Sequence, residues 1–293
     1  MNQTTEISLI VSTYNSPDWL SKVLDSVFAQ SFRHFQLVVA DDGSAPETGA
    51  LLRNRAPESP VPIIHVWQED HGFQKCRILN KAIAVSSGKR LVFTDGDCLL
   101  PPHFLQTHQQ MARSGTFLTG AYFKLPPTLS DLIASETIRT SEVFQPSWLL
   151  AHGLKLSPKL FKLMVPGWAA RLANHLTPTK KTWNGHNSSC LREHAIAVNG
   201  FNEEIQYGGQ DVEFGTRLNH LGLQGRHLRF STVPLHLHHG HGYVTPGMRE
   251  RSLVQCQETL QLRRIRAPIG LDQWLKADGA LSLAPTDRSS VLC

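Results

Sequence analysis

The sequence predicts an α/β fold: a mainly parallel central sheet flanked by helices. Short apolar, β-branched runs alternate four times with segments of helical spacing over roughly the first hundred residues. Polar clusters follow three of those runs: Ser12-Thr13-Tyr14-Asn15, Asp41-Asp42-Gly43-Ser44 and Asp95-Gly96-Asp97. Parallel strands need crossover connections, and right-handed crossovers put helices on both faces. The clusters then share the carboxyl edge of the sheet, where ligands bind in such folds.

Ile7 to Ser12 ("ISLIVS") reads as a strand buried on both faces. After "TYNSP", the segment Trp19 to Gln30 carries Leu20, Val23, Leu24, Val27 and Phe28 at helical spacing. "FQLVVA" (Phe35 to Ala40) is the second strand, ending at "DDGS". A helix over Glu47 to Arg55 precedes the third strand, "PIIHVW". "RILNKAIAVSSG" reads as a helix with a glycine stop, and "RLVFTD" as the fourth strand. Beyond Pro102 the alternation lapses; "TFLTGAYF" reads as a strand and residues 115–180 are otherwise mixed. Periodicity returns after Gly208-Gly209 in a helix from Gln210 to Leu221, with Phe214, Leu218 and Leu221 on one face and Gly222 as its stop. "RHLRFSTVPLHLHH" is strand-like.

At 293 residues the chain can bury a large core, as one main domain with an appendage. The net charge of +5 and pI near 9.0 imply attraction to an anionic partner. Basic residues gather in "RRIRAP" and in residues 155–181, where Leu, Phe, Met and Trp interleave with Lys and Arg. Such a segment reads either as interfacial at a membrane or as a helix packing its apolar face on the core with its cations solvated. The core-packing reading carries the larger weight. No aromatic RNA-binding motif or helix-turn-helix signature is present, which argues against nucleic acid. The N-terminal stretch lacks a basic region followed by an apolar run, and no apolar segment approaches the roughly 20 residues of a membrane span, so a cytoplasmic protein is expected. Five scattered cysteines, an odd number, fit reduced thiols better than a disulfide framework.

Asp95 and Asp97 make an oxygen-rich site suited to Mg²⁺ or Mn²⁺, or else a turn. Asp42 is open to the same two readings, as a turn residue or as a hydrogen-bond partner for a nucleobase. Tyr14 stacks on a base or packs under its loop. "HLHHGH" (His236 to His241) could form its own zinc site, but strand alternation sets His236 and His238 on one face and His239 on the other. One histidine joining Asp97 is easier to build than a cage of four. Asp211, just after two glycines at a helix start, is either a catalytic carboxylate or an ordinary helix-terminal one. Glu213, two positions on, faces away from it.

The series "SLIVSTYNSPDWLSKVLDSVFAQSFRHFQLVVADDGS", "HVWQEDHGFQKCRILNKAI", "TDGDC" and "NGFNEEIQYGGQDVEFGTRL" resembles family 2 glycosyltransferases of the GT-A fold. The nearest subgroup is that of chondroitin-polymerase catalytic domains and bacterial lipopolysaccharide or capsule enzymes. The resemblance covers residues 6–110 and 183–245. It implies a nucleotide-sugar-binding half over 1–110 and an acceptor half over 111–250 that includes the basic insertion 155–181. A helical tail over 251–293, disordered at its end, is expected to follow.

The resemblance implies donor contacts from Ser12, Tyr14, Asp42, Asp95 and Asp97, with Tyr14 and Asp42 on uracil. Asp97 would be the direct metal ligand, with Mn²⁺ or Mg²⁺ completed by His239 among His236, His238, His239 and His241. Asp211 would be the general base. Trp183, His186, Asn187, Gly209 and Gln210 are expected on the substrate side. Gln210 stands where the family usually has Glu, which puts a second acidic role there in doubt. "QLRRI" at 261–265 lacks the Trp of the processive signature, so addition of a single sugar is implied.

The implied activity is inverting, metal-dependent transfer from a UDP-sugar to a glycan or glycolipid, in bacterial lipopolysaccharide core or surface polysaccharide synthesis, with residues 155–181 at the inner membrane surface. A nucleotidyltransferase shares this architecture but needs a Gly-rich basic loop after the first strand, which "STYNSP" does not offer. An inactive nucleotide-sugar-binding protein is the third reading. Retention of Asp42, Asp95, Asp97 and Asp211 argues against it.

Overall fold

The structure, a computed structural model, describes residues 5–240, 247–275 and 287–292. Its first half repeats strand and helix: β1 (Ile7–Thr13), α1 (Pro17–Phe28), β2 (Phe35–Asp41), α2 (Pro46–Arg55), β3 (Ile63–Trp67), α3 (Lys75–Val85) and β4 (Arg90–Asp95). The four strands pair in parallel in the order β3-β2-β1-β4. Because side chains alternate across a strand, β1 sends Ile7, Leu9 and Val11 into one core with Leu20, Val23, Leu24 and Val27 of α1. Ile10 enters a second core with Ile78, Leu79, Ala82 and Ile83 of α3. The two helices therefore cover opposite faces of the sheet. Each fully buried Leu, Ile or Val contributes about 1.5–3 kcal/mol, so these two layers dominate what holds the sheet.

The chain continues through β5 (Cys98–Leu99), α4 (Phe104–Met111), β6 (Thr116–Thr119), β7 (Phe123–Lys124), β8 (Ser188–Leu191), β9 (Gln224–His227), β10 (Leu235–His236) and β11 (Arg288–Leu292). The large sheet runs β11-β3-β2-β1-β4-β8-β6-β9, and β5-β10-β7 form a small one. β8 is antiparallel to both β4 and β6, and β11 is antiparallel to β3.

Three expectations from the sequence need correction. "TFLTGAYF" is two strands in different sheets, broken at Gly120, whose N–H donates to the Asn187 carbonyl at 2.7 Å. "RHLRFSTVPLHLHH" likewise divides into the end of β9 and β10, because the chain turns at Leu228, whose carbonyl accepts from the Ser231 and Thr232 amides. The tail beyond residue 251 is not wholly helical: after the helix Met248–Gln261 and a 3₁₀ turn at Leu271–Trp274, β11 fills the edge that β3 would otherwise leave unpaired.

The basic insertion meets its favoured reading only in part: Leu160 enters the main core with Leu163 packed against it, but the helix that follows does not bury its large apolar residues. In the helix Gly167–Leu176 the inward side chains are Ala170 and Asn174, and Asn174 bonds Ser231 and the Phe230 amide. Trp168, 85 % exposed, stands outside with Leu172 and Leu176, and Leu156, Phe161 and Met164 earlier in the insertion are exposed too. A small, polar inner face suffices to dock this helix, which leaves its large apolar residues in solvent.

Candidate active site

Strand register builds the site. Ser12 pairs with Ala40 on one side and with Asp95 on the other, so the ends of β1, β2 and β4 lie level. At the next step the Gly96 amide donates to the Ser12 carbonyl at 2.7 Å, and a Cβ at Gly96 would sit 2.9 Å from that oxygen. Only glycine lets the aspartate turn approach β1 so closely.

A cavity of about 460 Å³ opens over this edge, lined in part by Ser12, Tyr14, Asp42, Lys75, Asp95, Asp97, His236 and His239. All five donor-side residues expected from the sequence thus meet in one place, as do both expected metal ligands. Tyr14 is half-exposed, and its hydroxyl donates to Asp70 Oδ2 at 2.9 Å. Asp42 is buried and accepts from Gln68 Nε2 at 2.6 Å and from the Gln74 amide at 2.9 Å. Burial pushes its carboxyl up to about 7, against the pull of those two hydrogen bonds.

Asp95 accepts from Lys75 Nζ at 2.6 Å and from Ser12 Oγ at 2.8 Å. Burial works against the charged form of Asp95, but the Lys75 ammonium outweighs it and holds the carboxyl well below the usual range. Burial would likewise lower the Lys75 pKa; the charges of Asp95, then Asp211, and also Asp97 raise it instead. Lys75 is the residue that sequence reading missed. Its signal was its place at the start of α3 within "GFQKC", on the edge where the carboxylates gather.

Asp97 stands against two imidazoles, with His239 Nε2 2.8 Å from Oδ2 and His236 Nε2 3.7 Å from Oδ1. The alternation argument for the histidines fails because the strand ends at His236; the rings of His236 and His239 stack at 5.2 Å. Each Nδ1 faces a backbone carbonyl, of Leu237 and Gly240 respectively, at 2.7 Å. A carbonyl only accepts, so Nδ1 carries the hydrogen and Nε2 is directed at the carboxylate. In the ion-free chain Asp97 favours a second proton on His239, whose pKa it raises by accepting from Nε2; a metal ion would replace that proton, and a backbone carbonyl behind each ring is the usual outer support of a metal-binding histidine. One carboxylate with imidazole nitrogens suits Mn²⁺ better than Mg²⁺, which favours oxygen. Cys98 lies close enough to Asp97 and His236 to share an ion with them, and without an ion burial holds its thiol protonated. His238 directs its amide to Ser130 Oγ, and His241 lies outside the described residues.

Asp211 opens the helix Gln210–His220 and is not among the residues that line this cavity. Its Oδ2 accepts from the Gly185 amide at 2.9 Å, while Oδ1 is buried with no donor among the described residues. Burial raises its carboxyl to about 6, with Lys75 pulling the other way. Gly209, which precedes the helix, has φ of 102° and a backbone carbonyl that receives the Glu213 amide. Gln210 Oε1 is buried without a donor. Glu213 is structural: it pairs with Arg217 at 2.8 Å and accepts from Thr259.

Two substrate-side expectations do not hold. Trp183 is 1 % exposed and packs edge-on against Phe93 and Phe214, so it is a core residue. Asn187 is fully buried, donating to the carbonyls of Ala121 and Thr232 and meeting His108, and it organises the turn into β8. Between them, His186 is not among the cavity-lining residues. Its ring meets Tyr122 at 4.4 Å, and burial lowers its pKa to about 4 despite the nearby charge of Asp95.

Residues 8–125 match the family described as "Glycosyl transferase family 2". Over 75 % of its length the chain is 29 % identical to the O-antigen biosynthesis protein RfbC of Myxococcus xanthus, of which it spans 16 %. A mannosyltransferase of Pyrobaculum calidifontis in complex with GDP-Man and Mn²⁺ superimposes with a TM-score of 0.58 at 19 % identity, over 91 % of this chain and 67 % of that one. TarS of S. aureus, residues 1–349 in complex with UDP-GlcNAc, gives a TM-score of 0.56 at 17 % identity over 92 % and 69 %. The fold is that of the GT-A glycosyltransferases.

Proposed function

We propose that this protein, whose residues 8–125 match the family 2 glycosyl transferases, is an inverting, metal-dependent glycosyltransferase that moves one sugar from a UDP-sugar to a glycan or glycolipid in surface polysaccharide synthesis. The supporting observation is the convergence of Asp42, Asp95 and Asp97 on one cavity with His236 and His239. Tyr14 and Asp42 receive the base, and Lys75 brings a cation to the diphosphate. Asp97, His239 and His236 hold the ion. A bound Mn²⁺ supplies charge stabilisation for the departing diphosphate.

Asp211 is the proton acceptor in this reading. Its unpaired Oδ1 takes the hydrogen of the acceptor hydroxyl as that oxygen bonds to the anomeric carbon. The bond from the anomeric carbon to the diphosphate breaks, and its electron pair leaves with UDP. A carboxyl near 6 is mostly ionised at neutral pH yet basic enough to hold the proton.

The acceptor setting follows from the insertion at 155–181. Lys155, Lys159, Lys162, Arg171, Lys180 and Lys181 accompany the exposed apolar residues there, with no acidic residue in the segment. That combination suits an anionic membrane surface. Among the described residues no helix is long and apolar enough to cross a membrane. A thermal-shift screen of UDP- and GDP-sugars with Mn²⁺, followed by assay of nucleotide release, tests the donor. Selective stabilisation by a GDP-sugar would overturn the UDP assignment.

A further inference from the structure

We infer that β11 and Asp287, which leads into it, hold the base-side wall of the donor cavity in place, with Lys81 and Gln68 as positioning residues between them and Asp42. This rests on the reading that the cavity takes a nucleoside diphosphate.

Lys81 lies on α3 with its side chain fully buried. Its Nζ donates to Asp287 Oδ2 at 2.6 Å and to Gln68 Oε1 at 3.1 Å, and stands 4.4 Å from the centre of the Trp274 ring. A buried ammonium needs an anion, and here it comes from the far end of the sequence. An ammonium can only donate, so it fixes the Gln68 amide with its oxygen turned inward and its NH₂ group turned to Asp42. Nε2 then donates to Asp42 Oδ1 at 2.6 Å, while the Gln74 amide takes the other oxygen. The orientation of a cavity-lining carboxylate is thereby set by consecutive buried contacts that begin at Asp287.

A second line reaches the same loop. The Arg288 guanidinium stacks over Trp67 at 5.3 Å, and Trp67 Nε1 donates to the Ser44 carbonyl at 2.9 Å. Ser44 closes the Asp41–Ser44 turn by donating its amide to Asp41 Oδ1. Both ends of that turn are thus tied to the strand that pairs antiparallel with β3. A satisfied buried network of this kind restricts its members to one arrangement, and a preordered wall binds its ligand more tightly than one that must be ordered on binding.

The test uses the full chain with Lys81→Met and Asp287→Asn, each confirmed as folded by circular dichroism. UDP affinity is measured by calorimetry with Mn²⁺, and solvent exchange of the Gln68 side-chain amide by NMR without nucleotide. At least tenfold weaker UDP binding and at least tenfold faster Gln68 exchange are expected in either variant. Adding Lys81→Met to Asp42→Asn should cost no further affinity, since Lys81 acts through Asp42. Affinity within twofold of the parent, or unchanged Gln68 exchange, in a folded variant would overturn the inference. A parent chain that binds no nucleoside diphosphate while Gln68 exchange still responds to both variants would overturn the donor reading and leave the positioning role standing.

Discussion

Lys75 Nζ lies 2.6 Å from Asp95 Oδ1, and the same ammonium acts on Asp211 and Asp97, so one cation couples the aspartate turn to the head of the helix Gln210–His220. Removing it as Lys75→Met deprives Asp211 of the charge that favours its ionised form, and its pKa rises above the present value of about 6. The acid limb of the pH–rate profile should move up by about one pH unit. Initial rates between pH 5 and 9 check this, and an unmoved limb would remove Lys75 from the catalytic electrostatics.

Asp211→Asn keeps the acceptor of the Gly185 amide but loses the base. Transfer should fall by about 10²–10⁴-fold, the range for a general base. UDP binding should stay within twofold, because Asp211 is not among the cavity-lining residues. Sugar transfer and calorimetry on the same preparation separate the two effects.

His239→Ala and His236→Ala should each weaken Mn²⁺ binding by at least about tenfold, the least that losing even an outer-shell partner costs, with the larger loss at His239, whose ring is the nearer to Asp97. EDTA should abolish transfer. Electron paramagnetic resonance titration of Mn²⁺ reads the affinities directly, and equal binding in all three proteins would refute the ligand assignment.

Asp42 keeps its proton up to about pH 7 in the folded chain, against about 3.9 when unfolded. Between those values the folded state binds more protons, so stability falls as pH rises from about 4 through 7. Asp42→Asn should flatten this slope. Thermal midpoints at pH 5 and pH 8 give the comparison: the parent should lose more on going to pH 8 than the variant does.

Trp168→Glu should reduce binding to vesicles of anionic lipid by about tenfold or more and leave soluble transfer rates unchanged, because Trp168 projects into solvent. Binding of the parent should also weaken as salt rises, since each basic residue near such a surface contributes about 1 kcal/mol of screened attraction. Flotation assays at low and high salt check both.

The first half of the fold was legible in the sequence because its pattern is local. "RLVFTD" is β4 to the residue, and the polar endings of β1, β2 and β4 meet as the parallel crossover rule requires. What escaped depends on partners distant in sequence. Trp183 is a wall of the core only because Phe93 and Phe214 close around it, and nothing near "WNGHNSS" announces them. Lys75 resembles any helix-start lysine until Asp95, twenty positions on, folds back to meet it. The second half of the basic insertion misled because, in the helix Gly167–Leu176, the inward stripe is Ala170 and Asn174 rather than the leucines.

The small sheet has one more effect. Leu235 and His236 pair with Leu99 and Cys98, which directly follow Asp97, and also with Phe123 and Lys124. Any hinge between the early and late parts of the chain must therefore bend somewhere other than at the corner where Asp97 meets His236. A hybrid enzyme assembled from two relatives would need to inherit β5, β7 and β10 from one parent, or its histidines would arrive out of step with its aspartate.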